Sequence, residues 1–256
     1  MMNWAEEGST GRKDGGSRAK ERKIPSGASF MRRTTLFCKR PDPGGVKTRL
    51  VPPLSELGAA ELYAAMLEDT LEACLGERGF ETALRFSPAE ADEWFAGKFP
   101  RVVDRAPQRG ADLAQRLTAH FADCCSALGT EVVIASDAPC LAMATVVSAH
   151  EALEGGADLV LSPDAGGGYT LIGLASPQPA LFCGVVMSSD QMAARTLAIA
   201  RDMGLDVQVL AKSRDVDLPQ DLELLAHGLA GLAPSLADFP TRTAACLRRL
   251  LPELFS

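Results

Sequence analysis

The sequence predicts an α/β fold, a three-layer α/β/α sandwich around a mainly parallel sheet, and three observations carry that expectation. From Thr34 onward, short apolar runs alternate with longer stretches whose apolar positions recur at three and four, the pattern of strands joined by crossover helices. Two of the runs, "EVVIAS" (131 to 136) and "ADLVLSP" (157 to 163), are almost continuously apolar, as strands buried on both faces are. The chain of 256 residues, 46% hydrophobic and 23% charged, is also long enough to bury one substantial core.

The elements follow in order. "TTLFC" (34 to 38) reads as the first strand, and "SELGAAELYAAMLEDTLEACL" as a helix with Ser55 as its N-cap. "ETALRFS" (81 to 87) reads as a strand, "EADEWFAGKF" as a short helix and "RVVD" (101 to 104) as another strand. "ADLAQRLTAHFADCCSAL" is amphipathic, with Leu113, Leu117, His120 and Phe121 on one side. The strand "EVVIAS" and a helix from Met143 to Leu153 come next. "ADLVLSP" and "YTLIGL" are separated only by a glycine turn, which suits an antiparallel or neighbouring pair. A helix through "DQMAARTLAIARDM", a strand "DVQVLA", a helix from Pro219 and a last helix near "AACLRRLLPEL" close the pattern.

Residues 1–30 differ from the rest, being polar and rich in Gly and Ser, so they read as a disordered tail or as an upstream start ahead of a natural Met31. One domain over 31–256 is expected. The formal charge of -7 argues against nucleic acid as a partner. Seven cysteines without C-x-x-C spacing suit reduced thiols better than a disulfide framework or a zinc site, and no apolar run is long enough for a membrane span. A cytoplasmic location is therefore expected. The three histidines fall in helices with no candidate nucleophile beside them in the predicted arrangement, which disfavours Ser-His-Asp or Cys-His catalysis.

Chemistry in such folds concentrates at the carboxyl ends of strands, where strand order reverses. The first strand leads into "KRPDPGGVKTRL" (39 to 50). Lys47-Thr48 imitates a Walker A ending, but Val46 and Pro41 occupy the two required glycine positions, and Pro52 and Pro53 interrupt the helix that should follow. What remains is a loop in which Gly44 and Gly45 permit close backbone approach while Lys39, Lys47 and Arg49 can meet anionic oxygens. Asp137, in "IASDAP", follows the most apolar strand and suits either a Mg²⁺ ligand or a helix cap. "SPDAGGGYTLIGL" places three glycines between two strands, a costly choice that suits a tight turn or a backbone approach to ligand. "RDVDLPQDL" offers Asp215, Asp217 and Asp221, with Asp217 suited to a cap or to a second metal ligand.

Seven segments in order, "KRPDPGGVKTRL", "LYAAMLEDTL", "QRGADLAQRL", "IASDAPCL", "SPDAGGGYTLIGL", "MSSDQMAARTL" and "DVDLPQDLELL", resemble a bacterial family of transferases or glycosyltransferases associated with radical-SAM or selenoprotein gene neighbourhoods. That family is similar to phospholactate guanylyltransferases within the nucleotide-diphospho-sugar transferase, or GT-A, superfamily. The resemblance implies a GT-A-like domain in which Lys39, Gly44, Gly45, Lys47 and Arg49 bind the nucleotide phosphates. It also implies that Asp112, Arg116, Gly167, Gly168 and Tyr169 face the substrate, that Asp137 and Asp217 hold Mg²⁺ or Mn²⁺, and that Asp137 and Lys47 are catalytic. Three departures stand out: Gly166 replaces the aspartate of the family's D-G-G-Y, with Asp164 displaced by two residues; Ala114 and Gln115 replace a glycine and a glutamate; and the family's W-S-T is Met187-Ser188-Ser189. The expected function is a metal-dependent transferase using a nucleotide sugar and a small-molecule acceptor. The alternatives are a nucleotidylyltransferase that consumes an NTP and releases pyrophosphate, and a non-catalytic nucleotide-binding protein.

Overall fold

β1 (Met31–Lys39) is the strand on which the sheet is organised. It alternates Thr34, Leu36 and Cys38 toward one face with Thr35 and Phe37 toward the other, the period of two that a covered sheet requires. A computed structural model describes residues 31–125, 129–187, 189–231, 234–235 and 238–255. The expected tail, residues 1–30, lies outside the described residues.

Seven strands form one sheet in the order β3-β2-β1-β4-β6-β5-β7. The others are β2 (Glu81–Ser87), β3 (Arg105–Pro107), β4 (Gly129–Ala135), β5 (Leu159–Pro163), β6 (Tyr169–Leu174) and β7 (Val207–Val209). β1 pairs in parallel with both β2 and β4, β2 with β3, and β5 with β7. β6 alone runs opposite, antiparallel to β4 and β5, so the short glycine turn after β5 closes a hairpin. The sheet is mainly parallel, as expected. The order reverses between β1 and β4, which puts the crevice at the ends of those two strands.

On one face, α1 (Glu56–Gly76), α2 (Asp92–Lys98) and α4 (Met143–Glu154) bury Leu67, Leu71, Phe95, Val146 and Leu153 against Leu36, Leu84, Val132 and Ile134. On the other, α3 (Leu113–Cys124) and α5 (Met192–Asp202) pack Leu117, Phe121 and Ala200 against Val133, Ile172 and Leu174. α6 (Pro219–Gly231) and α7 (Thr241–Leu250) cover the outer side of α1, whose Leu62, Tyr63 and Met66 therefore sit in a second apolar cluster. α1 is thus buried on two sides, and Ser55 caps it by accepting from the Gly58 N–H at 3.0 Å.

The expected strand over 101–104 is corrected by the structure. Val102 bonds back to Phe99 in a turn and Val103 is 90% exposed, so pairing begins only at Arg105, where β3 can lie beside Leu84 to Phe86. The last helix likewise begins earlier than its apolar run, because buried Asp69 accepts from the Arg242 and Thr243 N–H groups and anchors its first turn.

His150 on α4 is wholly buried, with Nε2 2.9 Å from Thr34 Oγ1 and Nδ1 2.7 Å from Thr130 Oγ1. Burial, reinforced by the nearby Arg32 charge, lowers its pKa to about 4. Unfolding lets it bind a proton near its ordinary value of about 6.5, so stability is full above that pH and falls as the pH drops toward 4. The expected loss reaches about 2–3 kcal/mol. Urea denaturation from pH 7 to 4.5 should show a steeper fall for the native chain than for His150→Gln; parallel curves would contradict it.

Candidate functional site

A cleft of about 930 Å³ opens at the carboxyl ends of β1 and β4. It is lined by Lys39, Gly45, Lys47, Arg49, Asp112, Arg116, Asp137, Gly168, Tyr169 and Asp217, ten of the twelve residues the sequence singled out. The other two are placed differently. Gly44, with φ of 75°, lines a neighbouring hollow with Val46, Thr48, Val51 and Glu56, because the loop turns there to meet the start of α1. Gly167 lies under the cleft wall: its φ is 94°, and a Cβ on it would stand 1.9 Å from the Asp190 carbonyl oxygen. Its glycine is required by backbone packing, and its carbonyl accepts from the Ala193 N–H at the start of α5.

The basic loop is not a Walker loop. Thr48–Leu50 form a single 3-10 turn, and the long helix starts only at Glu56. Lys47 enters that turn with φ of 49°, which directs its side chain inward, where only 6% of it is exposed. Its Nζ stands 2.5 Å from Asp137 Oδ2 and 3.6 Å from Asp217 Oδ1. Burial would lower the lysine pKa, but the Asp137 carboxylate outweighs it and the group stays above its ordinary value, fully charged. Arg49 pairs with Asp217 at 2.7 Å, while the Lys39 ammonium has no ion-pair partner among the described residues. Arg40 turns back on Asp42, away from this arrangement.

The floor is held by hydrogen bonds between strand ends. Tyr63 on α1 accepts from the Lys39 N–H at 2.9 Å and meets Ser136 Oγ at 2.7 Å, tying the ends of β1 and β4 together. Burial raises the Tyr63 pKa far above its ordinary value, so it remains a neutral phenol. Asp112 caps α3 by accepting from the Gln115 N–H at 2.8 Å, which leaves it at the rim. Arg116 is steadied by the Gly110 carbonyl and the Gln108 side chain at 3.0 and 3.2 Å.

Sequence reasoning missed Asp164 as a site residue. It is 7% exposed, lines the cleft, and its Oδ1 has no hydrogen-bond partner. Gly168 makes room for it, since a Cβ there would lie 2.4 Å from Asp164 Oδ2. The signal was present as a carboxylate two residues before a glycine run. Asp215 was noted as one of three acids; here burial, then repulsion from Asp137 and Asp164, raises its pKa to about 7.

The donor set is of the kind a hard divalent cation takes, because several carboxylates line the cleft and one buried oxygen is unsatisfied. The cleft carboxylates are nonetheless spread: among the described residues, only His120, Cys124 and Glu131 bring three such ligand atoms within 4.8 Å of one another. That trio lies on the α3 face and corrects the expectation that no histidine neighbours a nucleophile: Cys124 Sγ is 3.6 Å from His120 Nδ1. Burial raises the Cys124 pKa, but the His120 hydrogen bond and charge outweigh it and hold the thiol below its ordinary value. Cys124 and Cys125 are half-buried, and Cys125 packs against the apolar cluster on that face.

Among the described residues, no helix is long and apolar enough to cross a membrane. A search of curated proteins finds no match. Residues 70–189 match the family described as "Uncharacterized protein conserved in bacteria (DUF2064)". A crystal structure from Desulfovibrio desulfuricans G20, of a protein provisionally assigned as a nucleotide-diphospho-sugar transferase, is 28% identical with a TM-score of 0.76, covering 87% of this chain and 96% of that one. A cytidylyltransferase from Leptospira borgpetersenii serovar Hardjo-bovis shares the fold at 13% identity and a TM-score of 0.53, covering 88% of this chain and 96% of that one. CMP:2-keto-3-deoxy-manno-octonic acid synthetase, solved with CTP, shares it at 9% identity and 0.50, covering 78% and 98%. Residues 70–189 thus resemble the DUF2064 family, and the architecture is the nucleotide-diphospho-sugar transferase-like fold.

Proposed function

We propose that the protein is a divalent-metal-dependent transferase that takes a nucleotide sugar as donor and a small molecule as acceptor. One observation carries this reading: a basic loop at the end of β1 faces carboxylates at the end of β4 across a single cleft. Lys39, Lys47 and Arg49 would bind the diphosphate oxygens, with the Gly45 backbone close beside them. Mg²⁺ or Mn²⁺, held by Asp137 with further cleft carboxylates, would supply charge neutralisation on the leaving diphosphate. Gly168 and Tyr169 on one wall, and Asp112 and Arg116 on the other, would position the acceptor side. The similarity to the Desulfovibrio protein supports the same donor class.

The clustered cations suit a triphosphate as well, which keeps nucleotidylyl transfer as the second reading. Calorimetry and thermal shift with NDP-sugars and NTPs, each with Mg²⁺ or Mn²⁺, test the first claim. A donor at 100 times its Kd should stabilise the chain by about 2.7 kcal/mol. Asp137→Asn should remove the metal-dependent part of binding. Sugar transfer without pyrophosphate release supports the leading reading, pyrophosphate release the second, and no binding across the panel refutes both.

A further inference from the structure

Cys124 is the last residue of α3, at the end away from Asp112, the N-cap on the cleft rim. Roughly 18 Å of helix separates the two. The half-buried thiol closes a chain of three groups that the transferase reading leaves unused: Sγ stands 3.6 Å from His120 Nδ1, and His120 Nε2 stands 2.8 Å from Glu131 Oε1. The acid fixes the tautomer. Burial opposes its charge, but His120 and then Arg33 hold Glu131 below its ordinary pKa, so it only accepts and Nε2 carries a proton. Nδ1 is left facing the sulfur, placed to take the thiol proton. Two guanidiniums complete the surroundings: Arg85 Nη2 donates to Sγ at 3.8 Å, and Arg33 Nη2 donates to the Cys124 carbonyl at 2.9 Å. Asp104 offsets part of their charge, pairing with Arg85 at 2.7 Å and with Arg33 at 3.5 Å. Burial alone pushes the Cys38 and Cys74 thiols up, whereas at Cys124 the His120 contact overcomes burial and holds the thiol down.

We propose that Cys124 is a nucleophilic thiol that a peroxide oxidises reversibly to the sulfenic acid, with His120 as its proton partner and Glu131 positioning His120. With hydrogen peroxide, the thiol proton passes to His120 Nδ1 and the thiolate sulfur attacks one peroxide oxygen. The O–O bond breaks, and the departing hydroxide takes the proton back from the imidazolium and leaves as water. Sulfur loses two electrons and the peroxide gains them. A Zn²⁺ ion is the rival occupant, since the three ligand atoms lie within 4.8 Å of one another. Charge decides against it. The Glu131 oxygens already accept from Thr35, His120 and Arg33, and Arg85 stands at the sulfur, so a metal would meet two guanidiniums that stabilise a thiolate and repel a cation.

The test is labelling of the full chain, read cysteine by cysteine by mass spectrometry. At pH 6.5, iodoacetamide should alkylate Cys124 at least about 3-fold faster than exposed Cys183, because a thiolate roughly tenfold more abundant is also somewhat less nucleophilic. Across pH, the Cys124 rate should reach half its plateau below about 8.5, the ordinary thiol value. Dilute hydrogen peroxide followed by dimedone should tag Cys124 as sulfenic acid ahead of Cys183, and dithiothreitol added before the dimedone should abolish the tag. His120→Gln should bring the alkylation and oxidation rates down to those of Cys183. Cys124 reacting no faster than Cys183, or reacting at native rates in a folded His120→Gln, overturns the proposal. If that variant does not fold, the native chain decides alone, and a midpoint at or above about 8.5 overturns it. Protection of Cys124 from iodoacetamide by Zn²⁺ would make the trio a metal site and also overturn it. All of these outcomes leave the transferase reading untouched, since none involves the cleft.

Discussion

Lys47→Met should lower nucleotide affinity by about 100-fold while leaving the chain folded. The side chain is almost wholly enclosed, so its charge acts where water screens it little, and its Nζ touches Asp137 at 2.5 Å. Removing one partner of such a hydrogen-bonded charge pair costs about 2–5 kcal/mol at a binding site. Two effects add for an anionic ligand: one cation is lost, and Asp137, Asp215 and Asp217 are left facing the phosphates with less compensation. Stability should fall by less, about 1–2 kcal/mol, because the Asp137 side chain is 25% exposed and can be rehydrated. Nucleotide titration and urea denaturation of the same variant separate the two. A drop in stability with unchanged nucleotide affinity would reduce Lys47 to a structural residue and remove the basic loop from the phosphate role.

The largest loss of stability should come from Glu131→Ala, far from the cleft chemistry. Glu131 is 1% exposed and stands opposite Arg33 in the β1–β4 register. It accepts from Thr35 Oγ1 at 2.6 Å and Arg33 Nε at 2.7 Å, and its Oε1 meets His120 Nε2 at 2.8 Å. Burial would raise its pKa, but His120 and then Arg33 outweigh it and hold the carboxyl below its ordinary value. Truncation leaves buried donors without an acceptor, and such deletions cost about 3–5 kcal/mol. The pH sign is opposite for the two partners. Glu131 stabilises above the unfolded carboxyl pKa, with the contribution lost as pH falls through the folded one; His120, whose pKa is raised, contributes fully below its unfolded value and loses it as pH rises through the folded one. A double-mutant cycle with His120→Ala should show coupling above about 1 kcal/mol. A single-variant loss below about 1 kcal/mol would mean that the network is not the closed one the distances describe.

Local physics made much of the fold readable before any coordinates. β2 and β6 coincide with their apolar runs, because alternation along a strand is set by which faces are covered. Ser55 caps the helix that follows it, since a cap needs only a side-chain oxygen three residues from an N–H. Part of the cleft was readable for a related reason: in a parallel sheet, loops after strands meet at one end, which gathers Lys39, Lys47, Arg49, Asp137 and Asp217, whereas Asp112, Arg116 and Tyr169 came from the family resemblance alone. β3 was misplaced because a three-residue edge strand carries almost no periodic signal.

By itself, then, the sequence determined the α/β alternation and the capped start of α1, and it singled out a basic loop and strand-end acids that line one cleft. Only the tertiary structure decided the partners. That Lys47 pairs with Asp137, 90 residues away, and Arg49 with Asp217, 168 away, depends on chain crossings that no local pattern encodes. The same holds for Asp164, whose place in the sequence looked like a displaced copy of a missing aspartate. Its burial, its unpartnered oxygen and the two glycines beside it exist only once the β5–β6 hairpin closes over the cleft. Periodicity reports which face a residue takes, whereas electrostatic pairing depends on distances across the fold, and those arise only from packing.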